Sequence, residues 1–319
     1  MNNNIIKTNL LSWKYLISIL VTIIIIVYIL LLADYSAIVD FKKIYLLYIT
    51  FLLILSVYLR AIRWSLLLNK ENKKNKINLL FGIQFAGYFC SNVLPLRLGE
   101  VVKSYILAKK INLSTSFIFG TVILERILDM LAAGFIGLFI IFSNDNSLIE
   151  YKNKILFLLI ISIFGILISF FLPKLNKGKN KNKIMKYIYE IISGFSSINN
   201  NNLILSLILT IGIWVSYILI VYLVFIAINF PLNYLMYLII LIISTLIIAI
   251  PSLPGNWGVY EAGLAALIIP LLNTDMEFAL SIAVCLHLAT FIPYTLIGGV
   301  YFIKYYFYDE VIINNNIKV

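Results

Sequence analysis

Histidine occurs once in this chain, at His287, and cysteine twice, at Cys90 and Cys285. One histidine cannot build a multi-histidine metal site. Two cysteines standing singly in apolar runs, with no C-x-x-C and no ladder of pairs, give neither a zinc site nor a disulfide framework, and read as small core residues. Charge is scarce too: 12% of the 319 residues are Asp, Glu, Lys or Arg, against 62% hydrophobic. That leaves too little polar surface to solvate a globular fold. There is no Gly-rich phosphate loop, no Ser/His/Asp set and no interfacial cluster of acidic residues and histidine. With no complete catalytic motif, the chain is not expected to be an enzyme or to carry a metal or cofactor.

What is present is apolar length. Trp13 to Leu32, Ile44 to Leu68, Thr115 to Phe142, Ile155 to Leu172, Leu203 to Ile228 and Phe278 to Phe302 each approach or exceed the ~20 apolar residues that span a bilayer. The first is longer than a signal-peptide core and no small-x-small cleavage site follows it, so it reads as a retained anchor. The expected class is an all-α, polytopic protein of the cell membrane.

Acidic residues are the minority, 14 against 25 Lys and Arg, for a net charge of +11. Nucleic acid is excluded as the partner because the charges fall almost wholly in membrane-flanking loops. With six spans the termini share a face with the lysine-rich loops 69–78 and 174–186, while Asp34, Asp40, Asp145 and Glu150 offset the few lysines opposite. The positive-inside rule then places both termini in the cytoplasm, with Lys73 and Lys179 inside and Asp145 and Asp275 outside. The stretch Ile184 to Ile198 is amphipathic, and reads either as a helix on the cytoplasmic leaflet or as a solvated loop.

Two further apolar segments are too short to cross. Leu79 to Val93 runs into Leu94-Pro95-Leu96-Arg97-Leu98-Gly99-Glu100, and Leu235 to Ile250 runs into Leu253-Pro254-Gly255-Asn256-Trp257-Gly258-Val259-Tyr260-Glu261, after which Ala262 to Leu272 resumes. Both breaks read Leu-Pro-x-x-x-Gly with an acidic residue beyond, the pattern of discontinuous transporter helices. Each predicts a re-entrant hairpin of two half-helices, with Pro95, Gly99, Pro254, Gly255 and Gly258 as hinge or close-approach positions. One connecting span, 155–172, separates a first repeat, 44–142, from a second, 203–302, which is then inverted within a single membrane domain. The alternative is that Pro and Gly merely kink ordinary helices.

Ionisable residues at membrane depth normally face a cavity or a partner. Glu125, Arg126 and Asp129 lie near mid-depth, with Glu125 and Asp129 one turn apart on one face. They read either as a ligand site or as a self-neutralising packing knot. Arg97 and Glu100 follow Pro95 where a half-helix begins, a setting that favours an anionic headgroup gripped by the guanidinium, or else a simple Arg97–Glu100 pair. Glu261 is the lone charge of the second break and needs a partner, for which Arg126 is a candidate. Arg60, Arg63 and Lys103 read as snorkelling to headgroups or as secondary ligands, and His287 as a helix contact or a proton relay.

Arg97-Leu98-Gly99-Glu100, Glu125-Arg126-Ile127-Leu128-Asp129 and Pro254-Gly255-Asn256-Trp257-Gly258-Val259-Tyr260-Glu261 resemble, in order and spacing, the motifs of the lysylphosphatidylglycerol synthase transmembrane-region family. The resemblance runs from about Trp13 to Phe307. It implies a flippase-like, multispanning protein handling membrane lipid, a domain linked in full-length synthases to translocation of aminoacylated phospholipid. The stand-alone form is expected, since the chain ends soon after the last span and synthase activity is not inherited. The family's second motif usually reads Pro-Gly-Gly-x-Gly-x-x-Glu with a basic residue before the Glu; here Asn256 and Tyr260 occupy those places. The favoured function is translocation of a lipid with an anionic phospholipid or polyprenyl-phosphate headgroup. A membrane-embedded transferase using Glu125, Asp129 or Glu261 as base is the alternative. The residues give no preference between a monomer, a homo-oligomer and a separate membrane partner.

Overall fold

The computed structural model describes residues 13–32, 41–68, 77–143, 160, 164, 183–195, 200–250 and 252–308. Lys73, Asp145 and Lys179 lie outside the described residues, as does the expected connecting span 155–172 apart from Ile160 and Phe164. Every regular element among the described residues is helical: α1 (Trp13–Leu32), α2 (Ile44–Leu67), α3 (Ile77–Val93), α4 (Gly99–Ile111), α5 (Thr115–Phe142), α6 (Lys183–Phe195), α7 (Asn200–Ala227), α8 (Tyr234–Ala249), α9 (Val259–Leu272) and α10 (Met276–Phe302).

Large apolar side chains are exposed at helical spacing on the outside of the bundle: Leu47, Phe51, Ile54 and Tyr58 on α2, Phe135, Phe139 and Phe142 on α5, and Ile204, Ile208, Ile211 and Val215 on α7. A helix that is apolar outside as well as inside is dissolved in lipid. Ile44–Leu67, Asn201–Ala227, Pro254–Leu272 and Met276–Tyr306 are long and apolar enough to cross a membrane. Three of these match expected spans. The fourth begins at the second break, and its regular helix α9 has 14 residues, about 21 Å of rise against a hydrocarbon core of about 30 Å. At 28 residues α5 has the length, about 42 Å, but Glu125, Arg126 and Asp129 interrupt its apolar run.

Both breaks fold as tight helical hairpins. In the first, Gly87 packs on Lys103 and Gly99 on the Gly87 carbonyl and Ser91, so α3 and α4 run antiparallel. In the second, α8 and α9 pack on one another, with Gly263 against Ile247 and the Tyr260 hydroxyl donating to Ser244 Oγ at 3.3 Å. The turns correspond residue for residue at their starts. Leu94 and Leu253 are extended, Pro95 and Pro254 open a short 3₁₀ turn, and the next residue is left-handed in each, Leu96 at φ 57° and Gly255 at φ 68°. Proline supplies the fixed φ of the turn and lacks the N–H it would leave unpaired. The exits match as well: Asn112 and Asn273 end α4 and α9 in the left-handed conformation. Two residues on, Ser114 and Asp275 cap α5 and α10 by accepting from the Phe117 and Phe278 amides. Asparagine tolerates that conformation, and Ser and Asp are favoured N-caps.

The two hairpins touch at their tips. The Leu96 N–H donates to the Ser252 carbonyl at 3.2 Å. They lie along opposite halves of α10: α3 follows its later part, with Asn92 on Thr295 at 2.9 Å and Gly298 against Phe85, whereas Glu261 of α9 meets His287. The first helix of each hairpin packs on the last helix of the other half, α3 on α10 and α8 on α5, and α2 packs along α7. The amphipathic stretch forms α6, which packs against α5 through Gly194 on Phe117 and leaves Met185, Tyr187, Ile188 and Tyr189 exposed.

Candidate functional site

A buried charge network joins α2, α4 and α5. Arg60 and Arg63, one turn apart on α2, face Asp129, with Arg60 Nη1 donating to Oδ2 at 2.9 Å and Arg63 Nη1 to Oδ1 at 2.8 Å. Arg63 also lies 3.8 Å from Glu125 and donates to Thr210 Oγ1 at 2.8 Å, while Arg60 Nε donates to the Tyr217 hydroxyl at 3.0 Å. Lys103 of α4 bonds Glu125 at 2.9 Å and Glu100 at 3.2 Å, beside the amide of Gln84, and its ammonium sits 5.1 Å over the Trp64 ring. Arg126 reaches Glu100 at 2.6 Å and Asp129 at 3.4 Å.

These positions correct several expectations. Arg60 and Arg63 do not snorkel to headgroups: both are buried, because Asp129 provides a carboxylate at the depth where they lie. Lys103 is likewise buried and paired with Glu125. Glu125 and Asp129 are not neutralised by Arg126 on their own helix alone, since their closest cations come from α2 and α4. Glu100 pairs with Arg126 and Lys103; the Arg97 side chain lies outside the described residues, and its backbone ends the first 3₁₀ turn. Sequence reading overlooked Gln84, Thr210 and Tyr217, whose signal was polarity inside otherwise apolar helices.

The partner of Glu261 is His287, not Arg126. The carboxylate is fully buried, with Oε1 on His287 Nδ1 and Oε2 accepting the Gly258 N–H at 2.7 Å. This arises because Glu261 is the third residue of α9 and folds back on the helix start, as acidic residues at that position do. Trp257, Tyr260 and Phe291 pack around the imidazole, with ring centroids 4.5, 4.8 and 5.5 Å away. Asn256, left-handed at φ 61°, ties the second break by donating to the Ile248 carbonyl at 3.1 Å and accepting from Ser252 Oγ at 2.8 Å.

Between the charge network and the second break lies a cavity of about 230 Å³. Arg60 and Arg126 form one wall, Asn256 and His287 another, and Tyr88 and Tyr294 line it from α3 and α10. Among the described residues the ion pairs of this network join Arg60, Arg63, Lys103 and Arg126 to Glu100, Glu125 and Asp129. None of the three carboxylates lines the cavity, so its charged wall is cationic. The Arg126 side chain is 40% exposed, and its Nε has no acceptor among the described residues. Among the described residues no group of His, Cys, Asp and Glu is arranged to hold a metal ion.

The profile of the lysylphosphatidylglycerol synthase TM region family matches residues 15–298, and the chain belongs to this family. A UPF0104 membrane protein of Methanocaldococcus jannaschii is 33% identical over 222 residues, an alignment covering 67% of this chain and 93% of the relative. No solved structure matches the chain.

Proposed function

We propose that this member of the lysylphosphatidylglycerol synthase TM region family translocates a membrane lipid, and that the cavity between the two broken helices takes its anionic headgroup. The observation that carries the reading is the cationic wall of Arg60 and Arg126 at the meeting point of the hairpins, inside a bundle whose outside is apolar. A guanidinium grips phosphate with parallel hydrogen bonds, and the Arg126 side chain, 40% exposed with its Nε lacking an acceptor among the described residues, is placed to do so. The matched turns, caps and packing of 44–142 and 203–302 support an inverted pair of hairpins entering from opposite faces, the architecture in which transporters place a central site. Both termini are assigned to the cytoplasm on the loop charges.

The transferase alternative needs a carboxylate base beside the substrate. Glu125, Asp129 and Glu261 are each held by cations or hydrogen-bond donors away from the cavity wall, which favours binding over chemistry.

Proteoliposomes carrying fluorescent phosphatidylglycerol or phosphatidylcholine on one leaflet test this reading. The protein is expected to speed phosphatidylglycerol exchange between leaflets well above phosphatidylcholine. Arg126→Gln should slow it about ten- to a hundred-fold, the loss of a charge-assisted contact of about 1.5–3 kcal/mol. Arg126→Lys should do nearly as badly, because the fork geometry is lost although the charge remains. Equal transport of both lipids, indifferent to Arg126, would oppose the reading.

A further inference from the structure

The Glu261–His287 pair is left unused by headgroup binding, and its placement is peculiar. Glu261 is a fully buried carboxylate at the start of a half-helix otherwise apolar, and its only ionisable hydrogen-bond partner among the described residues is the sole histidine of the chain. A fixed cation would neutralise it permanently. Histidine neutralises it only while the pair holds a second proton, because imidazole is the side chain whose ordinary charge change falls at about pH 5 to 8. His287 is 7% exposed and lines the cavity; with Nδ1 on Glu261, its Nε2 has no hydrogen-bond partner among the described residues.

Among the described residues the other charged and titratable groups facing that cavity are Arg60 from α2, Tyr88 from α3, Arg126 from α5, Tyr217 from α7, Tyr260 from α9 and Tyr294 from α10. Behind the arginines stand Asp129 and Glu100, already ion-paired, and Cys285 is buried on α10. Arginine and tyrosine ordinarily keep their charge state over about pH 5 to 8. Among the described residues on the cavity wall, His287 is then the side chain whose chemistry is suited to exchanging a proton.

We propose that Glu261 and His287 form a proton-binding site coupled to the cavity, so that an anionic headgroup enters together with a proton. This rests on the reading of the cavity as a headgroup site. With one proton the pair carries charge −1 and repels an anion. On uptake of a second proton from solvent the pair becomes neutral, and the protonated Nε2 is a donor facing the headgroup. The proton returns to solvent when the lipid leaves. Binding free energies are reciprocal, so the anion favours the proton as much as the proton favours the anion.

Isothermal titration calorimetry of the detergent-solubilised protein with dioctanoyl phosphatidylglycerol tests the coupling. Its phosphodiester keeps one negative charge over about pH 5 to 8, so protons taken up belong to the protein. Repeating each titration in two buffers of different ionisation enthalpy counts them. The wild type is expected to take up a substantial fraction of one proton per lipid and to bind roughly five- to 150-fold tighter at the acid end than at the alkaline end. His287→Gln should take up none and hold the weaker, alkaline affinity throughout, and Glu261→Gln should also reduce the uptake. Wild-type binding with no proton uptake and a flat pH profile would overturn the coupling while leaving the headgroup site standing. Uptake that persists in a folded His287→Gln protein would overturn the assignment to this pair. Absence of phosphatidylglycerol binding at every pH would remove the headgroup reading, and this proposal with it.

Discussion

Asp129→Ala is expected to cost about 3–5 kcal/mol of stability, because it leaves buried guanidinium groups without their carboxylate. Asp129 accepts from Arg60 at 2.9 Å, Arg63 at 2.8 Å and Arg126 at 3.4 Å, and Arg60 and Arg63 are both buried. Among the described residues no other carboxylate is placed to receive Arg60; for Arg63 the next is Glu125 at 3.8 Å, already bonded to Lys103. The loss is read as reduced yield of monodisperse protein in detergent and as a lower midpoint of unfolding. Arg63→Met in the same chain should recover part of it, since contacting residues of one network are not additive. Simple additivity of the two substitutions would mean that the ion pair contributes little.

Gly99→Val and Gly258→Val are expected to abolish translocation while insertion and expression continue, and for different physical reasons. A Cβ at Gly99 would stand 2.0 Å from the Gly87 carbonyl oxygen and 2.2 Å from Ser91 Oγ. Backbone cannot step aside as a side-chain tip can, so α3 and α4 must part, drawing Lys103 from Glu125. Overpacking of this kind costs about 1–3 kcal/mol or more. At Gly258 a Cβ would stand 2.8 Å from Ile25 Cγ2, a side-chain contact and not backbone, but its φ of 86° is in itself closed to a β-branched residue. Forcing it would reorient the start of α9 and with it Glu261. Leaflet-exchange rates in proteoliposomes, with surface labelling to count inserted protein, separate lost transport from lost insertion. Full transport by either variant would contradict the close-packed and left-handed roles assigned here.

The membrane class was legible because composition alone excludes a solvated surface, and the broken helices because Leu-Pro-x-x-x-Gly occurs twice. Leu96 shows where a pattern stops: its left-handed φ of 57° is held by the turn and by its bond to Ser252, while leucine itself gives no local signal of it. The matching exits, Asn112 before Ser114 and Asn273 before Asp275, were readable as C-cap and N-cap pairs, yet their equivalence becomes evident only once the hairpins are aligned. Partners were the least legible. Asp129 and Arg63 lie 66 positions apart, Glu261 and His287 26 apart. Which buried cation meets which carboxylate depends on helix packing that no spacing rule contains. Arg60 and Arg63 therefore read as interfacial although Asp129 binds them inside the bundle.

Photo-crosslinking with a phosphatidylglycerol bearing a diazirine at its headgroup tests most directly the claim that the cavity between the two breaks is where the lipid headgroup sits. After irradiation in membranes and peptide mapping, the account predicts adducts concentrated on the cavity wall, at Tyr88, Ile220 and Phe291, and depleted in Arg126→Gln. Adducts confined to the outward apolar surface, at Leu47, Phe139 and Leu296, with no dependence on Arg126, would contradict it.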